Sequence, residues 1–322
     1  MRLRFAAAIC AAMLAAGPAL AQGDICPERT IRFMVPFPPG GSTDALARLI
    51  QPRMSELLGR TIVVENRGGA AGSIGTAAAA AAPGDGCTVL FVFDTHATNP
   101  TLIPNLPFDT RRDLAPLMLV GTNAMVVTAH RSTPYTDFRQ VIAEGKQPGK
   151  EPPYGTIGNG SLAHLAMTQL QKLGGFAMTH VPYRGGGPLV QDAAAGNVPL
   201  AMATIVVLRP QLDAGTIRPL AITGAERHPG LPNTPTMREL GFDGFEAYAW
   251  WGILMPARTP RPMQARMHAA LTDAIGQPQA RERLAGLGMD LRISDPETFE
   301  RFLNTEIDRW AQVIRENNIT PD

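Results

Sequence analysis

The chain lacks a surplus of charge of either sign. Its 322 residues include 29 Lys and Arg against 28 Asp and Glu, a formal net charge of +1. Proteins that bind nucleic acid usually carry a strongly basic face, so this balance argues against nucleic acid as a partner. Beyond its first residues the chain also lacks an apolar run of the roughly 20 residues that cross a bilayer. We therefore expect neither a nucleic-acid-binding protein nor an integral membrane protein.

The sequence also lacks the short motifs that most hydrolases and metalloenzymes carry. There is no Gly-x-Ser-x-Gly elbow, because Ala71 and Asn159 stand where glycine would precede Ser73 and Ser161. The six histidines show no His-Glu-x-x-His or Cys/His ligand spacing, and no Walker phosphate loop is present. We accordingly expect no catalytic residue, no metal site and no cofactor.

One loop keeps an enzymatic alternative open. Residues 158–163 read Gly-Asn-Gly-Ser-Leu-Ala after a predicted strand, which fits the loose dinucleotide pattern Gly-x-Gly-x-x-Ala. The next strand, however, ends at Tyr183 without the Asp or Glu that would hold a ribose. A nicotinamide-dependent enzyme is the alternative that this loop supports.

Residues 1–21 have the organisation of a secretory signal peptide. Arg2 and Arg4 supply positive charge, residues 5–14 are apolar, and residues 19–21 form the small-residue pattern Ala-Leu-Ala. We expect cleavage near Gln22 and export to the periplasm. No cysteine follows the cleavage pattern immediately, so we expect no lipid anchor.

Cysteine is scarce, with three in the whole chain. Cys10 lies in the predicted signal peptide, which leaves Cys26 and Cys87. An even pair in an exported protein suggests a disulfide. Each of the two precedes a predicted strand (30–35 and 88–93), and neighbouring parallel strands would bring them together. We predict a Cys26–Cys87 disulfide, with two unrelated buried thiols as the alternative.

Short apolar runs alternate with helical patterns along the rest of the chain, which is typical of an α/β fold with parallel sheets. The last predicted helix begins at Asp295-Pro296 and carries an apolar stripe at helical spacing. Two further apolar runs, at 124–129 and 247–255, are strand-like. The other predicted strands are 31–35, 61–65, 88–93, 154–157, 178–183, 200–206 and 217–223.

Two strand–glycine loop–helix units resemble one another. The sequence VPFPPGG at 35–41 is echoed by VPYRGGG at 181–187, 146 positions later. Both segments follow an apolar strand and precede a helix. They suggest two lobes that each present a backbone-rich loop to a shared cleft.

Loops of this kind suit an anion. Backbone N–H groups at the start of a helix are unpaired, and the helix dipole adds partial positive charge there. Glycine permits the backbone to approach the ligand closely. Four loops (39–42, 68–73, 158–161 and 184–187) have this form, and several meeting at one cleft would form a site for a carboxylate. Arg184 is either a partner for a second carboxylate or a solvated surface charge.

Five segments carry a family resemblance. They are VPFPPGGSTD at 35–44, VENRGGAAGSIG at 64–75, THATNP at 95–100, GNGSLAHL at 158–165 and VPYRGGG at 181–187. In this order they resemble the Bug-type receptors, the extracytoplasmic solute-binding proteins of tripartite tricarboxylate transporters. The resemblance covers nearly the whole chain after residue 21.

The resemblance implies an α/β fold of the type II periplasmic-binding-protein class, with two lobes joined by two crossover strands and a ligand cleft between them. It implies a small carboxylate ligand and, as partners, two membrane subunits of a transporter. We expect lobe 1 to comprise residues 23–123 plus 252–322, lobe 2 to comprise residues 124–251, and the protein to act as a monomer. A periplasmic sensor that docks on a signalling receptor is an alternative function of the same fold.

The resemblance also assigns a ligand site by motif. The first loop would cradle a carboxylate through its amides, Asp44 would support that loop, and His96 and His164 would be structural. Thr204 offers a neutral hydroxyl where family members often carry an Asp, so the identity of the ligand stays open. The predicted ligand-binding residues are Phe37, Pro38, Pro39, Gly40, Gly41, Ser42, Thr95, Thr156, Gly158, Asn159, Ser161, Tyr183, Arg184, Gly185, Gly186 and Thr204.

Overall fold

The structure, a computed structural model, describes residues 25–27 and 30–320. The predicted signal peptide at residues 1–21 lies outside the described residues. Within the described ranges, every helix is too short or too polar to span a bilayer.

The structure contains ten strands in its described part, which we number in chain order. They are β1 (Thr30–Val35), β2 (Thr61–Asn66), β3 (Thr88–Phe93), β4 (Leu114–His130), β5 (Pro153–Thr156), β6 (Thr179–Pro182), β7 (Leu200–Thr204), β8 (Ile217–Ile222), β9 (Tyr248–Pro256) and β10 (Asp290–Leu291).

The α-helices of the described residues are numbered in the same way. They are α1 (Ser42–Leu58), α2 (Ser73–Ala81), α3 (Thr95–Leu102), α4 (Thr110–Asp113), α5 (Phe138–Gly145), α6 (Leu162–Gly174), α7 (Gly186–Ala195), α8 (Ile205–Asp213), α9 (Arg261–Gly276), α10 (Pro278–Gly286) and α11 (Pro296–Glu316).

Two α/β halves share one long strand. In the first half β1 lies between β2 and β3 as a parallel neighbour of both, and β9 joins β3 to β4 in antiparallel orientation. In the second half β5 lies between β6 and β7 in parallel, and both β7 and β8 pair with β4. This is the two-lobed α/β arrangement that the resemblance implies.

Strand β4 passes from one sheet to the other. Its residue Ala124 pairs with Tyr248 of β9, whereas the next residue, Met125, pairs with Thr204 of β7. The predicted boundary between residues 123 and 124 lies beside this change of partner. The lobe boundaries themselves stay a prediction.

Local signals place the helix ends. Helix α1 ends at Gly59, which adopts the left-handed conformation with φ 63°. Asp137 begins α5 with a capping box that includes Gln140, and Asp295 accepts a hydrogen bond from the Thr298 N–H at the start of α11. These ends follow from residues within one turn of each boundary.

Helix α11 joins the cores of the two halves. Its apolar stripe, which includes Phe299, Leu303 and Trp310, is buried in a cluster that also contains Leu90 of the first sheet and Leu170 of α6. Burial of each such side chain contributes about 2 kcal/mol. The two halves are therefore packed together along one side of the molecule.

The predicted disulfide between Cys26 and Cys87 is confirmed. Because β1 and β3 are parallel neighbours, the two strands begin at the same edge of the sheet. The bond joins cysteines that are 61 positions apart in the chain. It closes a loop that contains β1, α1, β2 and α2.

The sequence-based prediction was wrong at several points. The strand predicted at 200–206 ends at Thr204, where α8 begins, because a continuous apolar run does not distinguish a buried strand from a buried helix. Helix α3 was not predicted. The strand predicted at 124–129 begins much earlier, at Leu114, since Pro116 lies at a register shift of β4 that interrupts the alternating pattern.

Candidate ligand-binding site

A cavity of about 660 Å³ lies between the two halves. This volume falls in the range of small-molecule sites, about 300–1,000 Å³. The residues that line it come from both halves: Phe37, Pro38, Pro39, Gly40, Gly41, Ser42, Thr43, Ala45, Phe93, Asp94, Thr95, Met125, Ile157, Ser161, Leu162, Ala163, Gly186, Ala203, Thr204, Val206, Val207, Ala249, Trp251 and Leu287.

The first-half wall consists mainly of the loop between β1 and α1. All six residues from Phe37 to Ser42 line the cavity. Gly40 has φ 90°, a conformation that side chains disfavour, and Gly41 is the N-cap of α1 without any side-chain hydrogen bond to the helix end. The first-turn amides of α1 are thus not covered by a capping side chain.

Asp44 braces this loop from inside the helix. Its Oδ2 accepts hydrogen bonds from the Gly40 N–H and from Arg48 Nε, both at 2.9 Å, and its Oδ1 accepts one from Asn66 Nδ2 at 2.9 Å. Burial alone would raise the pKa of Asp44, but the hydrogen bonds from Arg48, Gly40 and Asn66 outweigh it and lower the pKa. An ionised carboxylate therefore fixes the conformation of the loop, which is the contact that the predicted supporting role requires.

Aromatic residues form the floor beside this loop. Trp251 donates a hydrogen bond from Nε1 to Ser42 Oγ at 3.0 Å. The Phe93 ring lies 5.1 Å from the Trp251 ring and 6.5 Å from the Phe37 ring, centroid to centroid. Because Ser42 Oγ accepts from Trp251, its own proton is available to a ligand.

The second-half wall consists of the starts of three helices. Ser161 is the N-cap of α6, Gly185 of α7 and Thr204 of α8. The Ser161 side chain accepts from the His164 N–H, whereas α7 and α8 have no side-chain cap. Ser161, Gly186 and Thr204 all line the cavity.

A fifth helix start completes the arrangement. Asp94 is the N-cap of α3, its side chain makes no capping hydrogen bond, and both Asp94 and Thr95 line the cavity. The N-termini of α1, α3, α6, α7 and α8 therefore meet around one space, each with partial positive charge. None of the lining residues, all within the described part of the chain, is Lys, Arg or His. Helix N-termini of this kind generally favour bound anions.

Asp94 and Glu306 form the acidic part of this region. Burial raises the pKa of Asp94 to about 8, assisted by the negative charge of Glu306 and opposed by a hydrogen bond from the Thr95 backbone. Burial also raises the pKa of Glu306, which accepts a hydrogen bond from Trp310 Nε1 at 2.8 Å. Asp94 was not among the predicted site residues, although it directly precedes the THATNP segment.

The histidines of the family segments pack within the protein. His96 is buried, and burial lowers its pKa to about 4, so its ring is neutral at physiological pH. His164 stacks on His180 with the ring centroids 3.8 Å apart. Across residues 25–27 and 30–320, no three His, Cys, Asp or Glu residues are grouped so as to hold a metal ion.

Six predicted residues lie beside or behind the second-half wall. Thr156 is fully buried, with its Oγ1 2.7 Å from His180 Nε2 and 3.4 Å from Ser161 Oγ. Tyr183 donates its hydroxyl proton to Asp192 at 2.9 Å. Those absent from the cavity lining are Thr156, Gly158, Asn159, Tyr183, Arg184 and Gly185.

The other predicted residues are brought together around the cavity. Of the lining residues that sequence reasoning missed, Trp251 and Leu287 have no local signal, because only the folded chain brings them to this space. Ligand contact stays a prediction for every site residue. Those predicted residues that line the cavity are Phe37, Pro38, Pro39, Gly40, Gly41, Ser42, Thr95, Ser161, Gly186 and Thr204.

Comparison with known proteins identifies the family of this chain. Residues 46–319 match the family TctC, described as the tripartite tricarboxylate transporter family receptor. Protein BugT of Bordetella pertussis is 33% identical over 295 residues, which are 91% of this chain and 90% of BugT.

Two solved structures of relatives contain carboxylates. Rpa4515 of R. palustris, determined with adipate, is 32% identical, with a TM-score of 0.78 over 92% of this chain and 100% of that one. MatC from Rhodopseudomonas palustris, with bound malate, is 32% identical, with a TM-score of 0.74 over 89% of this chain and 99% of that one. The chain belongs to the TctC family of tripartite tricarboxylate transporter receptors, and the Bug-type proteins BugT and BugD are among its relatives.

Proposed function

We propose that this chain captures a small carboxylate in the periplasm and delivers it to two membrane subunits of a tripartite transporter. One observation carries the proposal: five helix N-termini from both halves meet around a cavity whose described lining residues include no Lys, Arg or His. The relatives solved with adipate and malate support the same ligand class. We propose binding and release without covalent chemistry.

The free energies are sufficient for useful affinity. A hydrogen bond to a charged group contributes about 1.5–3 kcal/mol. Roughly four or five such bonds cover the ~8 kcal/mol of micromolar binding after the cost of ordering. Uncapped first-turn amides and the hydroxyl of Ser42, which accepts from Trp251, can supply donors of this kind.

Closure of the two lobes would couple binding to delivery. We propose residues 23–123 plus 252–322 as one lobe and 124–251 as the other, with β4 and β9 as the crossing strands. In this structure the halves touch beside the cavity, since a Cβ added at Gly288 would lie 2.7 Å from Val206 Cβ. A ligand that contacts both walls stabilises this closed form over an open one.

Calorimetry on the protein exported to the periplasm tests capture. The panel is acetate, succinate, malate, glutamate and adipate, with the neutral diamide of adipic acid as the matched control. We expect at least one acid to bind with a Kd near micromolar and the diamide to give no heat, because the helix N-termini favour negative charge. The absence of heat and of any thermal shift with every acid would contradict the proposal.

Delivery needs a separate measurement. Membrane vesicles that contain the two membrane subunits should take up the radiolabelled acid only when the loaded receptor is added as a monomer. Binding without stimulated uptake would overturn delivery and favour the sensor alternative, while capture would stand.

A further inference from the structure

Asp94 is an unusual residue for an anion-binding cavity. It lines the cavity, and it is the only acidic residue among the lining residues, all of which the structure describes. Its side chain is buried, with a residue exposure of 6%. Since none of the described lining residues is cationic, an ionised carboxylate here would lose solvent without gaining a cationic partner.

The groups packed around Asp94 increase this cost. Glu306 of α11 adds negative charge, and the nearby Arg309 stacks on Trp310, 4.4 Å from the ring centroid. On α3 itself His96 is buried and neutral, because burial lowers its pKa to about 4. The Trp250 and Trp251 side chains of β9 carry no charge.

These surroundings keep Asp94 protonated near neutral pH. Burial and Glu306 raise the pKa of Asp94 to about 8, and one hydrogen bond reaches its carboxyl group from the Thr95 backbone. A protonated carboxyl group has an O–H donor that an ionised one lacks. Hydrogen bonds of the type O–H···O⁻ are short and strong.

We propose that Asp94 is a specificity-determining residue that binds as a neutral acid and donates its O–H to an anionic oxygen of the ligand. This role rests on the proposed capture of a carboxylate and adds a requirement for a ligand oxygen within reach of the β3–α3 junction. The helix N-termini would hold the remaining negative charge. Ligand binding would therefore depend on the protonation state of Asp94.

An ionised Asp94 would recognise a different chemical group on the ligand. A carboxylate at position 94 would accept hydrogen bonds from an ammonium group and would select amino acids. None of the described residues that line the cavity is cationic, which favours the neutral donor, and the ammonium role becomes one outcome of the test.

The test follows the Kd of succinate, malate or adipate from pH 6 to pH 9.5 by calorimetry. These acids carry no amine, and their carboxyl groups stay ionised throughout this range. We expect a constant Kd up to about pH 8 and a loss of about tenfold per pH unit above it, because ionised Asp94 cannot donate. Circular dichroism at each pH checks that the fold persists.

Three variants sharpen the result. Asp94→Asn keeps a donor that does not ionise, so its Kd should change less than threefold between pH 6.5 and pH 9.5. Asp94→Ala should bind about tenfold more weakly below pH 8 and show no pH dependence. Glu306→Gln removes the like charge behind Asp94 and should move the loss of binding to lower pH, while its side-chain oxygen can still accept from Trp310.

The outcomes separate the two proposals. If the wild-type chain binds a diacid with equal Kd from pH 6 to pH 9.5, the role of Asp94 is wrong and capture stands. If the wild-type chain binds glutamate and Asp94→Asn loses glutamate alone, the residue recognises an ammonium group and the neutral-donor role is overturned. If no acid binds at any pH, the proposed function itself fails.

Discussion

The two glycine loops, residues 36–41 and 182–187, have similar sequences but are held in different ways. In the first loop all the residues from Phe37 to Gly41 line the cavity, and the Gly40 N–H is bonded to Asp44. In the second loop only Gly186 lines it, and Arg184 is exposed.

The position of the acidic residue in the helix that follows each loop accounts for the difference. Asp44 lies in the first turn of α1 and reaches back to the loop, whereas α7 has no acidic residue in its first turn. Its acid, Asp192, bonds the Tyr183 hydroxyl and the Asn197 side chain instead. A strand–glycine loop–helix motif thus provides the backbone amides, and an acid in the first turn of the helix decides whether the loop is braced.

Removal of the disulfide should have the largest effect on stability, and it tests the first half of the molecule independently of the second. Both cysteines of the Cys26–Cys87 bond lie in the first half, and residues 124–251 contain none. Changing both to Ser should lower the free energy of unfolding by about 4 kcal/mol, because the cross-link closes a loop of 61 positions. Urea unfolding measures this, and a loss below about 1 kcal/mol would contradict it.

A negative charge placed at the start of α1 should have the next largest effect, in this case on the Kd of the carboxylate ligand. Gly41→Asp should weaken carboxylate binding about 100-fold, or about 2.7 kcal/mol, because a carboxylate would occupy the helix N-terminus that we assign to the ligand. Stability should stay equal or rise, since Asp is a favoured N-cap residue. Gly41→Asn is the matched control of nearly equal size; similar losses in both variants would show that bulk rather than charge is responsible.

Removal of the Asp44 carboxylate, which accepts a hydrogen bond from the Gly40 N–H, should have an intermediate effect on stability and on ligand binding. Asp44→Asn should lower the free energy of unfolding by about 2 kcal/mol and weaken binding about tenfold, because one donor of the Gly40, Arg48 and Asn66 set loses its acceptor. Asp192→Asn in the second half is the control and should change both quantities much less.

The same brace predicts an acid dependence. Since the folded state lowers the pKa of Asp44, its contribution is fully present above the unfolded pKa of about 4 and is lost as the pH falls below it. Thermal melts from pH 6 to pH 3 should therefore show a smaller decrease in Tm for Asp44→Asn than for the wild-type chain. Parallel curves would contradict the role of the ionised carboxylate.

The smallest effect is expected in the second loop. Arg184→Ala should change the Kd for any acid of the panel less than threefold, because the side chain is exposed and does not line the cavity. A loss of tenfold or more for diacids but not for acetate would show that Arg184 pairs with a second carboxylate, and would make the two loops more alike than the structure indicates.

Much of the fold could be predicted from local patterns. Strand β3 has the predicted bounds, and α11 begins at the predicted Asp295-Pro296. Prediction was wrong where local patterns compete. The strand predicted at 200–206 includes residues 205 and 206, which form the start of α8. The register shift at Pro116 interrupts the alternating pattern in the first half of β4. Such segments take their conformation from what they pack against.

The cavity could be predicted only in part. The backbone-rich loops at 37–42 and at Gly186 are visible in the sequence because glycine and proline mark them. Trp251 is not, since its bond to Ser42 joins residues 209 positions apart. The properties of Asp94 depend on burial against Glu306, which lies on the last helix of the fold.

By itself the sequence determined most of the strands, the turns that free backbone amides, and which two cysteines remain to pair, because these depend on residues within a few positions of one another. Only the tertiary structure decided that five helix N-termini share one cavity, that Asp44 rather than Asp192 braces a loop, and that burial beside Glu306 raises the pKa of Asp94. The reason is physical: desolvation and the convergence of dipoles arise from distant segments packed together, and neither has a local signature.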